Sequence, residues 1–345
     1  MSASIRIATA ADNDSLLALT RLTPMDGTIA LRIDRDPDFF ALLRHRGDRA
    51  AVFIAEQQGE VIACVSVAIR DAYVGGTAQP MAYVADLKVH PQHAGSRIPV
   101  RLVQKLTEHI KAEGVDLVWS VAAAGNARVM PFFAGRAGVS RFLSAGRFVV
   151  DELLGTSSAK RAVFAIEEAT SDDRESIDAL LDGFHRSREL APSTAMTDDA
   201  ITTLVARDGS RVVATLELFD PSNLKRNVLL DAPLSTRMLL GLLRPLVQMP
   251  RIGEAVRLAY IRHFACADGH MDALRALLQH ARVVARRQQF AFAAIGLHER
   301  DPLRRIVRGI PRFSFTSCAF ITSLRGSRSV DTIAAGIPFE DFALV

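Results

Sequence analysis

The chain has 345 residues, 49% of them hydrophobic and 23% charged, which excludes a disordered or low-complexity polymer and allows a large buried core. At roughly 100–200 residues per domain, that length predicts about two domains. A net charge of +4 is compatible with an anionic partner, but one Trp and three Tyr among scattered arginines make no stacking platform and disfavour nucleic acid.

In chain order, Ser4–Ala8 alternates like a strand, and Asp12–Leu22 has helical apolar spacing behind a polar start. Pro37–Arg44 predicts a short helix. Ala50–Gln57 and Glu60–Ala72 are strand-rich runs joined by Gln58-Gly59, a hairpin turn. Met81–Val89 predicts a strand, Pro99–Glu113 an amphipathic helix closed by Gly114, and Leu117–Ala122 a strand. Asn126–Arg136 predicts a helix followed by Gly138, and Val139–Leu154 one or two strands. Gly155–Ala159 is small and polar, the best linker in the sequence, and divides the chain into domains at 1–155 and 160–345.

The order then repeats. Ala162–Ala169 predicts a strand, Thr170–Asp173 caps a helix reaching Ser187, and Ile201–Ala206 and Arg211–Leu218 pair across Arg207–Ser210. Ser235–Val247 is an extra helix, low in basic residues and expected to pack on the second sheet rather than on a membrane. Arg257–Ala265, Phe290–Leu297 and Phe313–Leu324 predict strands, with helices at Met271–Arg287 and Pro302–Val307. Element order, not residue identity, argues for a duplicated α/β unit.

The chemistry concentrates in Tyr83–Leu106. A half-apolar strand ends at His90-Pro91, a turn holding Gly95 and Ser96 follows, and a helix begins with Pro99 in its first turn. Free N–H groups at the head of such a helix suit a pyrophosphate. The stretch Asp86-Leu-Lys-Val-His-Pro91 before this turn resembles the GCN5-related N-acetyltransferase family. In that family an Arg/Gln-x-x-Gly-x-Gly/Ala turn follows. Here its positions hold Ala94, Arg97 and Pro99, so Arg97 either offers the pyrophosphate a cation or blocks the groove. Val115–Ala122 with Asn126 and Gly138 matches the family's splayed strand and next helix, and Phe132-Phe133 stands where members often carry a Tyr acid.

The resemblance covers residues 4–154 and is topological over 160–345. It implies two tandem acyl-CoA N-acyltransferase-like α/β domains, each a mixed twisted sheet flanked by helices. Acetyl-CoA, or another acyl-CoA, would be the cosubstrate and a small-molecule or peptide amine the acceptor. The backbone and side chains of Leu87, Lys88, Val89, Ala94, Gly95, Ser96, Arg97, Ile98, Asn126 and Phe133 would hold CoA. Asp86 or Tyr83 would act as base or acid, and the second domain would shape the acceptor site or a homodimer surface. Two alternatives stand beside this: a non-catalytic acyl-CoA-binding protein, and aminoacyl-tRNA-dependent transfer, for which no basic groove is visible.

His90 and His93 also read as polar loop residues, and His298–Asp301 as a capped loop. His263, Cys266, Asp268 and His270 lie close in sequence, but on a regular strand His263 and Cys266 face opposite sides, so no metal is expected. Cys64, Cys266 and Cys318 are odd in number and apolar in setting, as in a reducing cytoplasm. No apolar run reaches the ~18 residues of a membrane span, and the N-terminus has no basic stretch followed by an apolar one.

Overall fold

In the computed structural model the described residues are 3–25, 29–126, 129–135, 140–159, 162–193, 200–245 and 247–345. The first half runs β1 (Ser4–Ile7), α1 (Asn13–Leu22), β2 (Ala30–Asp34), α2 (Ala41–Arg46), β3 (Arg49–Gln57), β4 (Glu60–Val74), β5 (Thr77–Val89), α3 (Ile98–Ala112), β6 (Leu117–Ala123), α4 (Met130–Phe133) and β7 (Leu143–Leu154). The second runs β8 (Ala165–Glu168), α5 (Arg174–Arg186), β9 (Ala200–Asp208), β10 (Arg211–Phe219), β11 (Arg226–Asp231), α6 (Leu234–Leu243), β12 (Leu258–Cys266), α7 (Met271–Arg287), β13 (Phe292–His298), β14 (Arg312–Ser323) and α8 (Ser329–Ala335).

The predicted duplication is present and can be read in local detail. Each half opens with a capping box, Thr9 with Asp12 and Thr170 with Asp173. In each, the threonine N–H donates to the aspartate (2.7 and 3.0 Å) and an arginine from a neighbouring strand, Arg6 or Arg207, clamps the same carboxylate. One long amphipathic helix covers each sheet. Leu102, Leu106 and Ile110 of α3 face the strands at helical spacing, and Leu274, Leu277, Leu278 and Ala281 of α7 do the same. Burial at about 1.5–3 kcal/mol per large side chain makes these two faces major contributors to stability.

The halves share one twelve-stranded sheet in the order β1-β3-β4-β5-β6-β14-β7-β13-β12-β10-β9-β8. Each half gives its last strand away: β14 lies against β6 of the first half, and β7 lies against β13 of the second. β14 and β7 pair with each other at the centre.

Three elements lie outside the sequence expectations. β2 and β11 form a separate two-stranded sheet, and α8 was not anticipated. The short helix expected at Pro37–Arg44 starts later, at Ala41, because Asp38 holds the chain in a turn by accepting from the Phe40 N–H at 2.8 Å. The α6 helix does not lie flat on the second sheet. It sends Leu240 and Leu243 into a cluster with Leu229, Val247 and Met249, and leaves Leu234, Met238 and Leu242 more than 70% exposed (76%, 71% and 73%). The helix expected at 126–136 is described only as Met130–Phe133, and Gly138 lies outside the described residues.

Candidate active site

β5 and β6 are parallel and pair only over Met81–Tyr83 with Leu117–Trp119. Beyond Tyr83 the two strands part, so β5 from Val84 to Val89 carries a backbone edge without a β6 partner. Within that free stretch Asp86 has φ +55°, and the register with β4 slips between Cys64 and Ser66. This is a bulge, and aspartate tolerates the left-handed conformation better than most residues.

The bulge aims the Asp86 carboxylate into a buried polar cluster. Its Oδ1 accepts from Arg35 Nη2 at 2.9 Å and its Oδ2 from Ser66 Oγ at 2.7 Å. Burial alone would raise the Asp86 pKa, but Arg35, Lys88 and these hydrogen bonds outweigh it and hold the carboxyl below the usual range. Lys88 is itself lowered by burial, and burial pushes the Cys64 thiol up to about 12. Tyr83 is 3% exposed, with the Arg46 guanidinium 3.1 Å from its ring centroid. Burial holds its phenol well above the ordinary tyrosine range.

Arg46 continues the cluster through Glu340 (2.7 Å), whose other oxygen accepts from Trp119 Nε1 at 2.6 Å. Arg262 meets Asp341 at 2.6 Å, and Lys225 donates to the Phe342 carbonyl at 2.8 Å and to the Val345 carbonyl. Arg35 Nη1 and Arg46 Nε are buried donors without a hydrogen-bond partner among the described residues.

The expected CoA-contacting residues fall into two groups. The side chains of Leu87, Val89 and Ile98 are turned to the α3 core, so what they offer the cleft is backbone. Ala94, Gly95, Ser96 and Arg97 form an exposed turn, with Gly95 at φ +81° and Arg97 preceding the first residue of α3. Pro99 sits in the first turn of α3. On the opposite wall Asn126 follows β6, with its N–H donating to the Ala123 carbonyl at 3.1 Å. Phe133 stacks on Phe320 at 3.9 Å and meets Phe142 edge-on. Tyr83 and Asp86 thus lie at the foot of the splay and the turn at its head, on one strand.

The second half repeats the arrangement. β12 and β13 pair in parallel over Leu258–Tyr260 with Phe292–Ala294 and then part. His263 has φ +39° at a register slip between Thr215 and Glu217. Tyr260 and His263 are therefore the counterparts of Tyr83 and Asp86. His263 Nδ1 lies 2.6 Å from Glu217 Oε2, in the place of the Asp86–Ser66 contact. Because the strand is bulged at His263, the regular two-residue alternation assumed from the sequence does not hold there. Among the described residues no group of three or more His, Cys, Asp or Glu side chains is placed to hold a metal ion. No helix among them is long and apolar enough to cross a membrane.

Sequence reasoning singled out Tyr83 and Asp86 but missed Arg35, Arg46, Ser66, Lys225, Glu340 and Asp341. The partners of these residues lie tens to hundreds of positions away, 294 in the case of Arg46 and Glu340. One signal was present: Tyr83-x-x-Asp86 and Tyr260-x-x-His263 both precede a strand end and a helix.

Residues 4–129 match the family described as "Acetyltransferase (GNAT) domain". That match spans 126 of the 345 residues and marks the N-terminal part of the chain as GNAT-like. Among solved structures, the chain is similar to Saccharomyces cerevisiae N-myristoyltransferase with bound myristoyl-CoA. The identity is 12%, 92% of this chain and 82% of that one are covered, and the TM-score is 0.63. It is also similar to a GCN5-related N-acetyltransferase from Anabaena variabilis ATCC 29413, at 11% identity over 92% and 72% of the two chains and a TM-score of 0.53. At such identities the likeness is one of fold. A comparison with curated protein sequences gave no match.

Proposed function

We propose that this chain is an N-acyltransferase that moves an acyl group, acetyl in the simplest case, from CoA to an amine. The observation that carries the reading is the free β5 edge at residues 84–89, running from the Asp86 bulge into the exposed turn at the head of α3. In this reading the pyrophosphate lies at the turn and the N-terminus of α3, with Arg97 beside it. The thioester lies along the free edge, where N–H groups near Leu87–Val89 polarise its carbonyl. The amine nitrogen attacks the carbonyl carbon, the C–N bond forms, the C–S bond breaks, and the thiolate leaves and takes up a proton. Asp86, or a water that it holds, receives the proton lost by the amine. Its depressed pKa makes it a weak base, so binding and proximity supply most of the rate.

A second reading, a non-catalytic acyl-CoA-binding protein, draws on the same cluster. Asp86 is tied up by Arg35 and Ser66, Tyr83 is sealed under Arg46, and Phe132-Phe133 has no proton to give. Calorimetry with acetyl-CoA and with myristoyl-CoA (the ligand of the similar yeast structure), followed by thiol release with an amine panel, separates the two. Binding with thiol release is expected. Binding without release across the panel supports the second reading, and no binding of either CoA ester at millimolar concentration sinks both.

A further inference from the structure

A cavity of about 220 Å³ lies between β11 and the start of β12. That is below the roughly 300–1,000 Å³ of sites for drug-sized ligands, so its occupant is of amino-acid size. One wall is apolar and aromatic, built from Leu258, Tyr260 and Phe290. The mouth is cationic. Arg257 stacks over the Phe290 ring at 5.1 Å and has no carboxylate partner among the described residues. Arg226 has only a distant one, Asp36 at 3.9 Å. The single acid in the lining, Asp220, is occupied in capping the Ser222 N–H at 2.9 Å.

The inner end is polar and buried. The Asn227 side chain lies beside Tyr260, and Lys225, 4% exposed, lies with its Nζ 4.9 Å from the Tyr260 ring centroid. Lys225 is close enough to Arg35 and Arg46 to feel their charges, and Arg35 holds Asp86. The strand directions give the same relation on a larger scale. β5 is parallel to β6, three antiparallel steps through β14 and β7 lead to β13, and β12 is parallel to β13. β12 therefore runs opposite to β5, and its N-terminal end lies at the same edge of the sheet as the C-terminal end of β5. The cavity opens at the edge to which β5 carries its turn.

We propose that this cavity is the acyl-acceptor site and that its substrate is an amphipathic amine bearing a carboxylate, of the size of a hydrophobic amino acid. The inference rests on the acyl-transfer reading above and adds the acceptor class to it. The carboxylate is held at the mouth by Arg226 and Arg257, and the apolar body lies on Tyr260, Phe290 and Leu258. The amine points inward. There it meets Lys225, and charge on both nitrogens together is disfavoured, which favours the neutral, nucleophilic form of the amine.

The test uses the full chain and two matched pairs, L-phenylalanine with phenethylamine and L-leucine with isopentylamine. Binding is measured by calorimetry without CoA, and turnover by thiol release from acetyl-CoA. The carboxylated member of a pair is expected to bind at least tenfold more tightly than its decarboxylated partner. Arg257→Ala, a change at an exposed side chain, is expected to erase that difference. Arg226→Ala provides a second, independent exposed variant. Neither amino acid binding, equal binding within both pairs, or a preference unaffected by both substitutions overturns the inference. Selective, Arg257-dependent binding with no thiol release upholds the carboxylate site and overturns the acyl-transfer reading beneath it.

Discussion

The two splayed strand pairs are built on one plan and filled differently. In the first, the row across the sheet at the last paired position is Tyr83, Trp119 and Ile321. In the second, the corresponding row is Tyr260, Ala294 and Glu152. The first row is packed solid by an indole. The second has a methyl group at its centre and a buried carboxyl at its end. The two halves share the backbone device (parallel pairing of three residues, a tyrosine, then a bulge) and differ in the side chains on it. The tyrosine at the foot of each splay is thus part of the architecture in both halves, and what distinguishes them chemically lies beside it.

The largest expected effect comes from emptying the first row. Trp119 is 1% exposed, and its indole N–H is bonded to Glu340, itself paired with Arg46. Trp119→Ala is expected to cost about 3–5 kcal/mol from lost burial and the cavity left behind, with the truncated Glu340 contact adding to it. Chemical denaturation measures the loss. A change below about 1.5 kcal/mol would mean that the two halves do not depend on this row as their common core.

Much of this plan was legible in the sequence. Met271–Arg287 is a helix over the residues predicted, because its apolar periodicity is strong and both ends are marked. The strand expected at Met81–Val89 and the helix expected at Pro99–Glu113 are both present, the strand starting earlier, at Thr77, and the helix running from Ile98 to Ala112. The strand exchange was not, since no local pattern says that β7 passes its own half and pairs with β13. β2 and β11 are short and joined to each other across nearly 200 positions, so neither carried a convincing strand signal alone. The site shows the same division. Tyr83 and Asp86 stood in a recognisable motif, while Arg35, Arg46, Glu340 and Lys225 act through long-range pairing that periodicity does not encode.

Glu152 sharpens the comparison at an intermediate scale. It is 8% exposed, and burial alone raises its pKa from 4.5 to about 8. The folded state therefore holds the proton more tightly than the unfolded chain. Its contribution to stability is fully present below about pH 4.5 and is lost as the pH rises through 8. Glu152→Gln removes that dependence. Between pH 5 and pH 8 the wild-type chain is expected to lose up to about 4 kcal/mol relative to the variant, at 1.36 kcal/mol per unit. Parallel stability curves for the two proteins across this range would show that the carboxyl is hydrated or paired in solution.

The smallest effect separates the two heads of the splays rather than their feet. In the first half the turn before α3 carries Arg97, whose side chain is exposed and makes no ion pair among the described residues. In the second half the turn before α7 is Ala267–His270, with Asp268 where a cation would be needed. A pyrophosphate is favoured by the helix N-terminus in both halves, but the added side-chain charge is attractive only in the first. Arg97→Ala should then weaken acetyl-CoA binding by about 1–3 kcal/mol, the range for a hydrogen bond to a charged group. In the proposed reading the nucleotide lies at the first turn, so Asp268→Ala should leave its binding unchanged. Calorimetry on both variants reads the difference directly. Unchanged or tighter binding in Arg97→Ala would identify the guanidinium as an obstruction standing where the family has glycine, and stronger binding in Asp268→Ala would move the nucleotide to the second half.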